Sequence, residues 1–471
     1  MSTGAAQALE RGTALLQAGD AAAALPLLQH AMQALPTEPR AAFRAGAAAF
    51  ALQDFALAVE AFRAASARDP QWVEAWSNLA AALARQRDYE PALQAARRAL
   101  QLDPQRVDSW QALAALLSNR FDRESLEEGL RAVALVLRAD PRNAQAHHVA
   151  GLLWRKCGDL VRAERHARQA VALAPGDAEC IEALGEALLL ADHAAAAVEV
   201  YREAAARGVR SAAIERQTGI ALLQAGQASD AIPVLTAALR GAPADQRTIA
   251  HLGAALAAVG DADGAERLLG LQRNVHAVRL PAPDGFADVA AFHTELARDI
   301  RGHSQQRWEP AGLAAHQAYL SGDLLVDRTP AILGFERRLR EAIDGFIAGC
   351  RTDPDDAFLG NIPADYRIHV WATQAAQTGY IDTHIHEESW LSGAYYVELP
   401  AAIANDDATH AGWIEFGRPF RALPPVPATM LRTIRPEVGT LLLFPSFLFH
   451  RTLPYAGPGE RISISFDLAA V

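Results

Sequence analysis

Three histidines are spaced for chemistry in this 471-residue chain. His384 and His386 lie one residue apart in GYIDTHIHEESWLSGAYYVELP (379–400), and His450 closes LLLFPSFLFH (441–450). Neutral imidazole is a ligand for iron, zinc, copper and nickel. In an extended segment residues i and i+2 share a face, so His384 and His386 can point the same way, and His450 can complete a metal set from a strand paired opposite. A single histidine on a strand is more commonly a surface or satisfied core residue. The paired spacing is what favours ligation.

These residues need strands to hold them, and the sequence supplies candidates. Between residues 356 and 471 the runs YRIHVWATQ, LSGAYYVEL, GWIEFGR, GTLLLFPS and RISISFDL are short, β-rich and separated by Gly, Pro and Asp. Strands at this spacing predict a β-sandwich or jelly roll. Two segments with helical spacing, FADVAAFHTELARDIR (286–301) and PAILGFERRLREAIDGFIAGC (330–350), are expected to cover one of its faces.

The first half has a different texture, dominated by Ala and Leu and repeating every 34 residues to about residue 270. Its clearest unit, VEAWSNLAAALARQRDYEPALQAARRALQLDPQR (73–106), resembles the tetratricopeptide repeat. Small residues such as Ala92, Ala96 and Ala99 let two antiparallel helices approach, and a closing proline (Pro36, Pro70, Pro104, Pro141, Pro175, Pro243) ends the second helix. One hairpin cannot bury its apolar face alone, so neighbours stack into a superhelix with a concave groove. About seven full units and a partial eighth are expected over 5–270, with about three extra residues in the unit that starts at Val107. Exposed first-helix residues such as Asn78, Arg155 and His148 are candidates to face a protein or peptide in the groove; the alternative is an array that only holds or dimerises the other domain.

Bulk properties exclude several classes. A net charge of -11 without a long Lys/Arg run disfavours nucleic acid. The three cysteines show no CxxC spacing, which fits a reducing compartment and disfavours a disulfide framework or a cysteine-based zinc site. No secretory leader and no membrane span is legible, so a cytoplasmic protein without membrane contact is expected. Oligomeric state is open.

HIHEESWLSGAYYVELP, followed by GTLLLFPSFLFHRTLPYAGPGERISISFD, resembles a bacterial and phage branch of the Fe(II)/2-oxoglutarate-dependent oxygenases, with the pattern HxHxxSxxSGxYY, FPSxlxH, RisisF. The resemblance spans roughly 365–468 and implies a double-stranded β-helix over 278–471. It also implies Fe(II), 2-oxoglutarate as co-substrate, and O2. In that superfamily iron is held by an HxD/E…H triad. Position by position, His384 is the first ligand, His450 the distal one, and His386 stands where the acid is usual. Iron is then bound either by His384, His386 and His450, or by a set shifted by two residues in which Glu388 supplies a carboxylate. The resemblance further implies that Arg461 meets the far carboxylate of 2-oxoglutarate. Ser463 lies on the same strand face, and Tyr396 aligns with a position that often bonds that carboxylate. Their bland readings are a surface arginine and a core aromatic. Trp371, Trp390 and Trp413 are expected in the core or the pocket wall.

The function so implied is a dioxygenase that decarboxylates 2-oxoglutarate to succinate and CO2 and hydroxylates a protein or peptide delivered by the repeat groove. The alternatives are an oxygenase acting on a small molecule, and a non-catalytic repeat scaffold whose jelly roll binds metal or ligand without turnover.

Overall fold

The computed structural model describes residues 2–120, 122–308, 314–403 and 409–471. The chain packs as two compact units, Met1–Ala187 and Leu188–Val471.

Helix hairpins make up the first unit. Aspartates start many of the helices, as where the Asp20, Asp54 and Asp159 side chains accept from the backbone N–H three residues on. Four of the hairpin turns use one left-handed residue each, Gly19 (φ 85°), Gln53 (61°), Arg87 (63°) and Gly158 (78°). Glycine takes that conformation without strain; Gln53 and Arg87 accept about 1 kcal/mol to keep the same turn. The extra residues of the fourth unit lie in its second helix, Arg123–Ala139, which has 17 residues against 14 in Tyr89–Leu102 and Leu160–Leu173. Two of the prolines closing a repeat also serve the next one: Trp76 Nε1 donates to the Pro70 carbonyl (3.1 Å) and Trp110 Nε1 to that of Pro104 (2.8 Å). Alanines 0–2% exposed, among them Ala45, Ala61, Ala82, Ala92 and Ala96, form the seam between helices.

The three residues expected to be exposed for a groove ligand are not exposed. His148 is 7% exposed. Asn78 turns back to the Glu74 carbonyl of its own helix (2.8 Å), and Arg155 is ion-paired with Glu186. The Arg155 pair crosses between repeats, whereas the Asn78 bond stays within one helix.

The second unit begins inside the helical array and ends with the strands. Its last two array helices, Gln246–Ala258 and Ala262–Leu269, lead into β1 (His276–Arg279), β2 (Arg307–Trp308), β3 (Ala315–Leu320), β4 (Tyr366–Ile381), β5 (Leu391–Glu398), β6 (Ile414–Phe416), β7 (Arg432–Ile434), β8 (Thr440–Pro445), β9 (His450–Thr452) and β10 (Arg461–Ala470). The order β1-β8-β5-β10-β4-β3-β2 forms a seven-stranded antiparallel sheet, and β7-β6-β9 a three-stranded one. This is a jelly-roll-like arrangement, as the spacing of turns predicted. All five strand runs legible in the sequence are present, whereas β1, β2, β3, β7 and β9 are not separately legible because they are short or lack an apolar pattern.

Alternation along β10 assigns its two faces. Ile462, Ile464, Phe466 and Leu468 are fully buried. On this side the Val289–Arg301 and Pro330–Gly349 helices cover the large sheet, with Phe335 5.2 Å from the Tyr395 ring and His293 Nε2 2.7 Å from the Tyr395 hydroxyl. The opposite face carries Arg461, Ser463, Ser465 and Asp467. No helix among the described residues is long and apolar enough to cross a membrane.

Candidate metal centre

His384 and His386 sit on the connection from β4 to β5 rather than on a regular strand. Backbone bonds hold that connection extended: His384 and His450 exchange N–H···O bonds of 3.1 Å each, and the His386 N–H donates to the Ser446 carbonyl (3.0 Å). The HxH segment is thereby stitched to the FPSFLFH segment 64 residues away, and one ring nitrogen from each of His384, His386 and His450 lies within 4.8 Å of the others.

Hydrogen bonds at the far side of each ring settle the tautomers. His384 Nδ1 lies 2.8 Å from the Asp382 carbonyl and His450 Nδ1 2.9 Å from that of Leu448. A carbonyl can only accept, so each Nδ1 carries the proton. His386 Nδ1 lies 2.9 Å from the carboxylate of Asp467, again an acceptor. In the neutral rings each Nε2 is therefore left with a lone pair, and the Nε2 atoms of His386 and His450 are 3.3 Å apart. Two lone pairs at that distance repel unless a cation lies between them. Burial and then the neighbouring imidazoles pull the His450 pKa well below its ordinary value and that of His384 down to about 4, so these two rings are neutral near pH 7. A single divalent ion suits this donor set.

Beside the histidines lies a cavity of about 650 Å³, floored by the polar face of β10 and walled by Trp371, Thr373 and Tyr396. Arg461 is 2% exposed, yet its Nε and Nη1 have no hydrogen-bond partner. Burial lowers its pKa, and only the Tyr396 and Tyr455 hydroxyls counter that shift. A buried guanidinium with unused donors fits a carboxylate that enters from the cavity. Ser463 pairs in register with both Thr373 and Tyr396, which places it next to Arg461 on the same wall. The adjacent Tyr395 points to the opposite side of the sheet.

Glu388 is exposed and lies outside the cluster of three nitrogens; Glu387 is directed to Arg247 (3.3 Å). Among the tryptophans, Trp371 lines the cavity 5.8 Å from the His386 ring, and Trp390 is stacked on Phe358 in the core (4.4 Å). Trp413 is stacked on His410 (4.5 Å). Asp467, Ser392 and Phe444 were not singled out from the sequence. The signal for Asp467 was there, since the alternation in RISISFD places it on the face of Arg461.

Residues 369–467 match the family model described as Putative 2OG-Fe(II) oxygenase, and residues 15–83 and 73–106 match two tetratricopeptide repeat models. The chain thus joins tetratricopeptide repeats to a domain of that oxygenase family, whose members imply Fe(II) and 2-oxoglutarate. Solved structures similar to this chain include a tetratricopeptide repeat protein from Parabacteroides merdae (15% identity, 53% of this chain and 97% of that one, TM-score 0.45). Another is TTC0263, a thermophilic TPR protein of Thermus thermophilus (26% identity, 40% of this chain and 100% of that one, TM-score 0.34). No curated protein matches.

Proposed function

We propose that residues 278–471 form an Fe(II)- and 2-oxoglutarate-dependent oxygenase, and that residues 5–270 present it with a protein or peptide segment to hydroxylate. The observation that carries this reading is the convergence of the His386 and His450 Nε2 atoms, 3.3 Å apart, beside His384. His384, His386 and His450 would hold the iron; Glu388, the alternative ligand, is exposed and outside the three-histidine cluster. Arg461 would take the far carboxylate of 2-oxoglutarate, flanked by Ser463 and Tyr396. Iron and 2-oxoglutarate bound together supply the oxidation: O2 is consumed, succinate and CO2 leave, and a substrate C–H bond gains oxygen. The protein's own part is orientation and exclusion of water. The rings of Phe444 and Phe416, 4.8 and 6.1 Å from His450, close one side of the metal position. The repeat models support a role in protein recognition, and three free cysteines are consistent with a cytoplasmic location.

Anaerobic reconstitution with Fe(II), followed by 2-oxoglutarate and O2, tests the proposal by succinate release. Wild type is expected to release succinate and His450→Ala to fall to background. No release from wild type, with His450→Ala the same, leaves a binding scaffold. Partners captured through the repeats should gain the mass of one oxygen on incubation with the loaded enzyme. If deleting residues 1–187 changes turnover of no substrate, and small molecules are oxidised instead, the delivery role is wrong.

A further inference from the structure

Two of the three histidines are anchored by backbone carbonyls, and the third is anchored by a charged group. Asp467 Oδ2 accepts from His386 Nδ1 at 2.9 Å, with both side chains more than four-fifths buried. The carboxylate is itself held in place. Ser392 Oγ donates to Asp467 Oδ1 (2.6 Å), so its own proton is committed, and Ser446 must then donate to Ser392 Oγ (2.7 Å). Ser392 is 1% exposed and Ser446 fully buried, and the Ser446 carbonyl also receives the His386 N–H. The chain Ser446–Ser392–Asp467–His386 therefore joins the turn after β8, β5, β10 and the HxH segment in one relay that ends at a ring whose Nε2 faces the metal position.

On the reading of this site as a metal centre, we infer that Asp467 is a positioning residue that gives His386 the negative charge which the three neutral imidazoles lack. Its hydrogen bond fixes the His386 tautomer and ring plane. Its charge, one imidazole removed from the ion, raises the electron density at Nε2 and offsets part of the charge of a divalent cation. A carboxylate behind a ligating histidine typically changes metal affinity by about 10- to 100-fold. The acid usual among the ligands themselves is here placed one bond network further out.

Co(II) binding to the full-length protein tests this without turnover, by titration calorimetry and by visible absorption of the bound ion. Asp467→Ala is expected to weaken Co(II) by about 10- to 100-fold and to alter the absorption bands. Asp467→Asn keeps an oxygen acceptor for Nδ1–H without the charge, so it should restore the wild-type band positions but only part of the affinity. Ser392→Ala retains the carboxylate and should lose only a few-fold. If Asp467→Ala does not fold, Asp467→Asn decides, since wild-type affinity in that variant contradicts the charge role. Co(II) uptake that His384→Ala abolishes but both Asp467 variants leave unchanged overturns the inference alone. A wild type that binds no Co(II), or His384→Ala binding as wild type does, overturns the metal centre and the inference with it.

Discussion

Arg247, on the last full-length helix of the repeat array, reaches Glu387, the residue next to His386, at 3.3 Å. Beneath this pair the His251 ring, 4% exposed, meets Phe449 edge-on at 5.6 Å, one residue before His450. Both segments that carry the histidines are thus braced by the same helix. The half-exposed ion pair contributes little, about 0–1 kcal/mol; the apolar contact is the larger effect. The Gln246–Ala258 helix of the repeat array is accordingly part of the fold of the candidate site.

Truncation should reveal this. A chain of residues 188–471 is expected to unfold cooperatively, whereas one of residues 271–471 exposes Phe447, Phe449 and Leu271 and should lose at least about 3 kcal/mol. Calorimetry of the two fragments checks it; equal melting temperatures would contradict the bracing role.

Acid should loosen the same contact. Burial lowers the His251 pKa from 6.5 to about 4, with Arg247 and Arg216 acting in the same sense and Asp245 and the Arg247 carbonyl opposing. The unfolded chain takes up a proton below pH 6.5 while the folded one does not until about pH 4, so this group costs no stability above pH 6.5 and destabilises progressively between those values. At pH 5 the loss is about 2 kcal/mol. Thermal melts of wild type and His251→Gln across this range should converge in slope for the variant; an unchanged slope would show that His251 does not titrate this way.

Arg461 should behave oppositely with and without ligand. Replacing it by Met removes a buried, underbonded cation, and the unliganded protein should be as stable or about 1–3 kcal/mol more so. Binding of 2-oxoglutarate should weaken by about 3 kcal/mol, on the order of 100-fold. Thermal shifts measured with and without 2-oxoglutarate separate the two effects.

Gly393 has a steric task in the centre of the large sheet. A Cβ there would be driven into the Leu442 carbonyl and the buried Phe466 ring, neither able to yield. Gly393→Ala should cost about 1–3 kcal/mol and lower Co(II) uptake, because β5 also carries Ser392. Wild-type melting and metal content in this variant would contradict the close approach.

Much of this molecule is local and so is legible in one dimension. The 34-residue period marks every hairpin turn from Gly19 to Gly158 except for the three residues that lengthen Arg123–Ala139, because each hairpin depends on residues close in sequence. Period-two alternation likewise sorts RISISFDL into an apolar face and a polar one before any sheet is built. The tertiary structure alone decided what lies opposite each face. Asp467 stands behind His386 because β10 pairs with β5 and the HxH segment is stitched to Ser446; Glu388, adjacent in sequence to the histidines, turns outward. The sequence changes texture near 270, yet His251 of the preceding helix packs on Phe420 and Phe449 of the strand region. Such contacts join residues tens to hundreds of positions apart, and local patterns contain no record of them.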